Sequence, residues 1–113
     1  NVDLALSKIL EANGDLQEAE RVLRRLNRNV KNDPTATMVL GQNLQLHHAP
    51  ANVEQFYIET LDANPNWTLI WEDYVAWLRR EGRHSDAVQA STKANSLNPN
   101  APRLQMQWQL LHQ

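Results

Sequence analysis

Two glycines, Gly14 and Gly82, stand in matching surroundings two repeat lengths apart, and that recurrence constrains the fold more than any other feature of the chain. The stretch 68–101 sets the pattern: Trp71, Tyr74, Val75 and Leu78, then Gly82, then Ala87 and Ala94, then Pro99. Trp71, Tyr74 and Leu78 fall at i, i+3 and i+7, on one helical face, while Ala87 and Ala94 are small where a second helix must come close. Gly82 marks the turn between the two helices, and Pro99 closes the unit. Residues 1–33 carry the same layout, with Gly14 matching Gly82, Ala19 matching Ala87 and Leu26 matching Ala94. Residues 34–67 carry it again through Leu40-Gly41, Leu44, Val53, Tyr57, Thr60 and Pro65, with His48 where the other copies have glycine. A period of about 34 residues kept through three copies dictates a stack of helix pairs.

This spacing resembles the tetratricopeptide repeat. The resemblance covers the whole chain as three repeats, 1–33, 34–67 and 68–101, and an extra helix, 102–113, in which Leu104, Trp108 and Leu111 align with Ile70, Tyr74 and Trp77. Sel1-like and half-a-TPR repeats are near neighbours, and the strict period favours the tetratricopeptide form. The resemblance implies an all-α solenoid of antiparallel helix pairs with a right-handed superhelical course, and a single domain over 1–113. The period inside each half predicts helices at 1–12, 15–29, 35–47, 50–63, 68–81, 84–97 and 102–112. The chain opens at Asn1 in mid-pattern without an initiator methionine, which reads as a piece of a longer protein.

Within the copies, Val2, Leu6, Ile9 and Leu10 are expected to line the covered side of the first helix, and Leu16, Ala19, Leu23, Leu26 and Val30 that of the second. Asp15 followed by Glu18 reads as a capping box. Lys31 replaces the closing proline of the first copy, and Asp33-Pro34 supplies the break slightly later. Gly41 reads as a close-packing position inside a helix, and Pro50 as a first-turn proline. Trp71, Trp77 and Trp108 fit the core stripe of first helices, with Trp71 between the helices of its own pair.

Eleven basic against thirteen acidic residues leave a formal charge of −2, so no global field points to nucleic acid or an anionic membrane. The basic cluster Arg21, Arg24, Arg25, Arg28 and Lys31 is local, and the middle copy has no lysine or arginine to extend it, so a nucleic-acid partner is not expected. The absence of cysteine removes thiolate chemistry and cysteine-ligated zinc. His47 and His48 are adjacent, so on a helix they diverge by about 100° and cannot share one metal. His84 and His112 lie in other units, and no metal site or cofactor is expected. Glu72, Asp73 and Glu81 are accompanied by no nucleophile or phosphate loop and read as a solvated face, so the chain is not expected to be an enzyme. Asn66-Trp67-Thr68 is a glycosylation sequon by letter alone. With no apolar run long enough to span a membrane and no signal peptide, the reading is a soluble chain, cytoplasmic in preference to periplasmic.

What the resemblance implies about function is a concave groove lined by the first helices and filled by a peptide or a partner's helix. Its offsets are Leu4, Lys8 and Glu11 in the first copy, Met38, Gln42 and Gln45 in the second, Leu69, Glu72, Ala76 and Arg79 in the third, and Arg103, Met106 and Leu110 in the last helix. The asparagine and basic positions of family members that clamp a C-terminal carboxylate are occupied here by Lys8 and Val39. A mixed groove with methionines suits an amphipathic segment better than a charged tail. The expectation is a scaffold or adaptor that binds a protein or peptide. The alternative is a segment that recruits substrate for a larger enzyme, and a further one is a spacer. Met106 and Leu110, on a second apolar stripe of the last helix, also point to possible self-association through that helix.

Overall fold

The glycines show where helices stop and why. In the computed structural model of the chain, which describes residues 1–30 and 32–113, Gly14 takes φ +83° and Gly82 φ +76°. These left-handed values cost glycine nothing. The Gly14 amide donates to Glu11 O at 3.0 Å and the Asp15 amide to Leu10 O at 2.8 Å. At the other turn the Gly82 amide donates to Arg79 O at 3.0 Å and the Arg83 amide to Leu78 O at 2.9 Å. Such a pair of bonds satisfies the last carbonyls of a helix and reverses the chain in two residues.

Among the described residues the chain forms seven helices: α1 (Val2–Ala12), α2 (Leu16–Asn29), α3 (Pro34–His47), α4 (Pro50–Ala63), α5 (Thr68–Arg80), α6 (His84–Leu97) and α7 (Pro102–Leu111). Each begins and ends within about a residue of the range predicted by the period. The fold class is all-α, built of successive antiparallel helices, and no helix among the described residues is long and apolar enough to cross a membrane. Pro34, Pro50 and Pro102 each occupy the first helical position, where a missing N–H costs no helix bond. Asp33 adds a cap to α3, its side chain accepting from the Thr35 amide at 3.0 Å. Asn32 reaches φ +65° just before it, a conformation asparagine tolerates. Lys31, which replaces the closing proline of the first copy, lies outside the described residues.

The chain divides into two compact units, Asn1–Tyr57 and Ile58–Gln113. In the first, α1 packs on α2 and α2 on α3, around Ala19, Val22, Leu23, Leu26, Ala36, Leu40 and Leu44. Gly41 lies inside α3, as expected: a Cβ there would stand 3.0 Å from Tyr57 Oη and 3.1 Å from Phe56 Cε2. In the second, α5 packs on α6, and α7 covers both, around Ile70, Trp71, Val75, Trp77, Leu78, Ala87, Ala94, Leu104 and Leu111. Trp71 is 4% exposed, and its Nε1 donates to Pro65 O at 2.9 Å, tying the core to the turn before α5. Pro65 O also accepts from Asn98 Nδ2 at 3.0 Å.

Three local expectations fail, the first being Val30, expected on the covered side of the second helix but 39% exposed at the end of α2. Asp15 makes no side-chain cap bond. Its amide is already spent on closing α1, and Glu18 turns instead to Arg21 at 3.0 Å. In α1, Val2, Leu6 and Ile9 are exposed while Ser7 is fully buried. At the offsets of Val2, Leu6 and Ile9, α3 carries Ala36, Leu40 and Asn43, all buried, and α2 packs on α3. That stripe is therefore covered by the helix that precedes it, and α1 is the first described helix. Ser7 holds the offset of Gly41 and Val75 and is satisfied by Leu4 O at 2.8 Å.

Candidate functional site

Because α1 and α3 are first helices of successive copies, residues on one face of each meet along a cleft in the first unit. Leu4, Lys8 and Glu11 of α1 and Thr35, Met38, Val39, Gln42 and Leu46 of α3 line a cleft of about 440 Å³. Five residues expected to face a groove, Leu4, Lys8, Glu11, Met38 and Gln42, are thus brought together. Leu46 is 59% exposed, a large apolar side chain at the cleft that pattern reading passed over. Glu11 is held in place, its Oε2 accepting from Asn43 Nδ2 at 2.9 Å. Gln45, also expected there, turns to α4 and donates from Nε2 to Tyr57 Oη at 2.7 Å.

In the second unit, Arg103 Nε donates to Glu72 Oε1 at 2.8 Å, and Gln107 Nε2 donates to Glu72 O at 3.0 Å. Glu72 and Arg103 are thereby spent partly on fastening α7 to α5. Leu69 and Ala76 are half-buried, Arg79 is exposed, and Met106 and Leu110 are 63% and 51% exposed. Leu104 and Leu111 fill the opposite side of α7, where they are buried. Trp108 is only half-buried, with Nε1 donating to Thr92 Oγ1 at 3.1 Å.

A second cluster lies on the same unit as the cleft, and sequence reasoning dismissed it. α3 ends at His47, and His48 is extended at φ −105°, ψ 155°. The 100° divergence of neighbours on a helix does not apply once the second has left the helix. The two rings meet edge to face with centroids 4.6 Å apart. His48 Nε2 lies 2.6 Å from Glu20 Oε1, and His47 Nε2 lies 3.3 Å from the same oxygen. The correction has a signal in the sequence: His48 replaces a turn glycine, and the Cβ makes the glycine's left-handed turn costly for histidine. Burial pushes the Glu20 carboxyl up, but hydrogen bonds from His48 and Arg24, with their charge, outweigh it and hold Glu20 below its ordinary value.

Three arginines of the basic cluster, all on α2, are paired. Arg21 pairs with Glu18 at 3.0 Å, Arg24 with Glu20 at 2.7 Å and Arg25 with Asp3 at 3.4 Å. Residues 1–43 match the family model described as Tetratricopeptide repeat, a segment that holds α1, α2 and most of α3. No curated protein matches the chain. The seven helices are consistent with that repeat, whose general role is protein–protein interaction.

Proposed function

We propose that this chain of tetratricopeptide-like repeats is a non-catalytic interaction module whose α1–α3 cleft receives an amphipathic peptide or partner helix. The observation that carries the reading is the cleft's lining: Leu4, Met38, Val39 and Leu46 are apolar, and Lys8, Glu11, Thr35 and Gln42 are polar, with charges of both signs. Such a surface rewards a ligand with one apolar face and balanced charge. Met38 supports this further, since a thioether side chain fits ligands of differing shape. In the second unit, Leu69, Ala76, Arg79, Met106 and Leu110 are proposed as contacts of that unit by itself.

The test begins with a peptide selected from a random library displayed against the immobilised chain, then synthesised and measured by fluorescence anisotropy. Met38→Glu places a charge among the apolar lining residues and should weaken binding by tenfold or more, about 1.4 kcal/mol. Arg28→Glu, on the exposed side of α2, should change it by less than about twofold. Equal losses from both variants, or no loss from Met38→Glu, would place the working surface elsewhere.

A further inference from the structure

We propose that Glu20, His47 and His48 form a binding site for one divalent transition-metal ion of the Zn²⁺ type. One ligand atom from each of the three residues lies within 4.8 Å of those from the other two. The three come from two elements, Glu20 from the middle of α2 and the histidines from the end of α3 and the residue after it. An ion there would staple α2 to the turn that follows α3.

The distances suit the chemistry. Tetrahedral zinc bonds nitrogen and carboxylate oxygen at about 2.0–2.2 Å, which sets neighbouring ligand atoms about 3.3 Å apart. His47 Nε2 and Glu20 Oε1 stand 3.3 Å apart already. His48 Nε2 and Glu20 Oε1, at 2.6 Å, are at hydrogen-bond separation and open by about 0.7 Å to admit an ion. In the ion's absence the imidazole protons fill the space: His48 Nε2 donates to Glu20 Oε1, and His47 Nε2 lies 3.1 Å from Asn43 Oδ1. Ion binding strips each ligating nitrogen of its proton, which moves to Nδ1 or to solvent.

The surroundings are those of an oriented ligand set. Arg24 Nε donates to Glu20 Oε2 at 2.7 Å, which fixes the carboxylate and leaves Oε1 for the ion. Asn43 is fully buried, and its Nδ2 is committed to Glu11 Oε2 at 2.9 Å and Leu16 O at 3.4 Å, so its Oδ1 faces His47. The ligand side chains are 14%, 29% and 16% exposed for His47, His48 and Glu20, shielded yet reachable. They line an open depression with Gln17, Arg21 and Arg24, through which solvent reaches the fourth coordination position. The two arginines do not leave that depression cationic, because Arg24 is paired with Glu20 and Arg21 with Glu18. Two imidazoles and one carboxylate select zinc, copper or nickel over magnesium and calcium, which prefer all-oxygen sites.

Calorimetric titration of the untagged chain with Zn²⁺ should show one ion per chain. Co²⁺ in its place should develop a visible d–d band. His48→Gln and Glu20→Gln should each weaken Zn²⁺ binding by more than about tenfold, since even residues that only orient ligands are worth 10–100-fold. The double variant His84→Gln, His112→Gln should bind as the parent does. Nitrogen-15 NMR of the unsubstituted chain settles the ligands without relying on any variant's folding: Zn²⁺ should move Nε2 of both His47 and His48 and leave His84 and His112 in place. No saturable binding, binding unchanged in His48→Gln, or a shift confined to one imidazole would overturn the proposal.

Discussion

The seam between α2 and α3 in the first unit and the seam between α6 and α7 in the second share one plan, two repeat lengths apart, and differ in what fills it. In the first, Asn27 Nδ2 donates to Leu23 O at 3.0 Å in its own helix and to Ala36 O at 3.1 Å in the next. In the second, Asn95 Nδ2 donates to Ser91 O and to Leu104 O, each at 3.2 Å. The asparagine clamps the backbone of one helix pair to the helix that follows. Thr37 Oγ1 adds a bond to Asn27 Oδ1 at 2.7 Å, whereas Gln105, at the offset of Thr37, reaches Pro99 O instead. Leu23 is buried apolar core, while Ser91 at its offset is a buried hydroxyl. In the middle copy the clamp position is Leu61, also buried. In the first and third copies, where an asparagine holds this offset, the shared backbone geometry aims its donor at the matching carbonyl. Apolar filling needs only volume and drifts.

The largest expected effect tests whether the two units lose structure independently. Trp71 is buried core in the second unit, where the first has Asp3, half-buried and paired with Arg25 at 3.4 Å. Trp71→Ala should cost about 3–5 kcal/mol by thermal or denaturant melting. Hydrogen exchange should then show α5, α6 and α7 losing protection while α1, α2 and α3 retain theirs. A melt within a degree or two of the parent would mean that Trp71 does not hold the second unit together. Equal loss of protection in both units would mean that the comparison divides one cooperative body.

Next in size are the clamps themselves. Asn27→Ala and Asn95→Ala each remove the side-chain donor that links one helix to a carbonyl of the next, a loss of about 0.5–1.5 kcal/mol. Asn27→Ala should cost more, because the Thr37 hydroxyl loses its shorter acceptor at 2.7 Å as well and keeps only Asp33 O at 3.3 Å. Denaturant titration of the two variants side by side gives the difference. If Asn95→Ala were the more costly, the shared bond pattern would not be what carries the stability of these seams.

Neither clamp was legible in the sequence, since an asparagine inside a helix reads as a mild propensity loss until a neighbouring helix supplies its acceptor. The helix boundaries were legible because Gly14, Gly82 and the prolines act through their own backbone, which needs no tertiary partner. Hydrophobicity found the apolar stripe of α1 but not its exposure: a stripe shows that a helix has an apolar side, and only a neighbour decides whether that side is covered. The 34-residue register misleads in the same way at Val2, Leu6 and Ile9, whose matches Ala36, Leu40 and Asn43 are buried, and succeeds only at Ser7, whose matches Gly41 and Val75 are buried. In the cleft, Leu4, Lys8, Glu11, Met38 and Gln42 followed from the register, while Gln45 was lost to the Tyr57 hydroxyl, a contact set by α4. The Glu20–His47–His48 cluster was missed by carrying helical geometry one residue too far, past the point where His48 turns out of α3.

The smallest expected effect has the opposite sign and bears on Ser91. Its Oγ is buried and finds no protein hydrogen-bond partner, although a mid-helix serine ordinarily bonds back to the preceding turn. Burying an unpaired hydroxyl costs stability, and serine is a weaker helix former than alanine by a few tenths of a kcal/mol. Ser91→Ala removes both penalties and almost no volume, while Ser91 O, the acceptor for Asn95 Nδ2, stays in place. A gain of about 0.5–1 kcal/mol should follow, read as a raised melting temperature. The same truncation at the matching offset, Leu23→Ala, should instead cost about 2–5 kcal/mol, because it opens a cavity in the first seam. Opposite signs at one repeat offset are what divergent filling on a shared backbone plan requires. If Ser91→Ala were destabilising by a kcal/mol or more, the hydroxyl would be paired after all, through an ordered water in the α6–α7 seam.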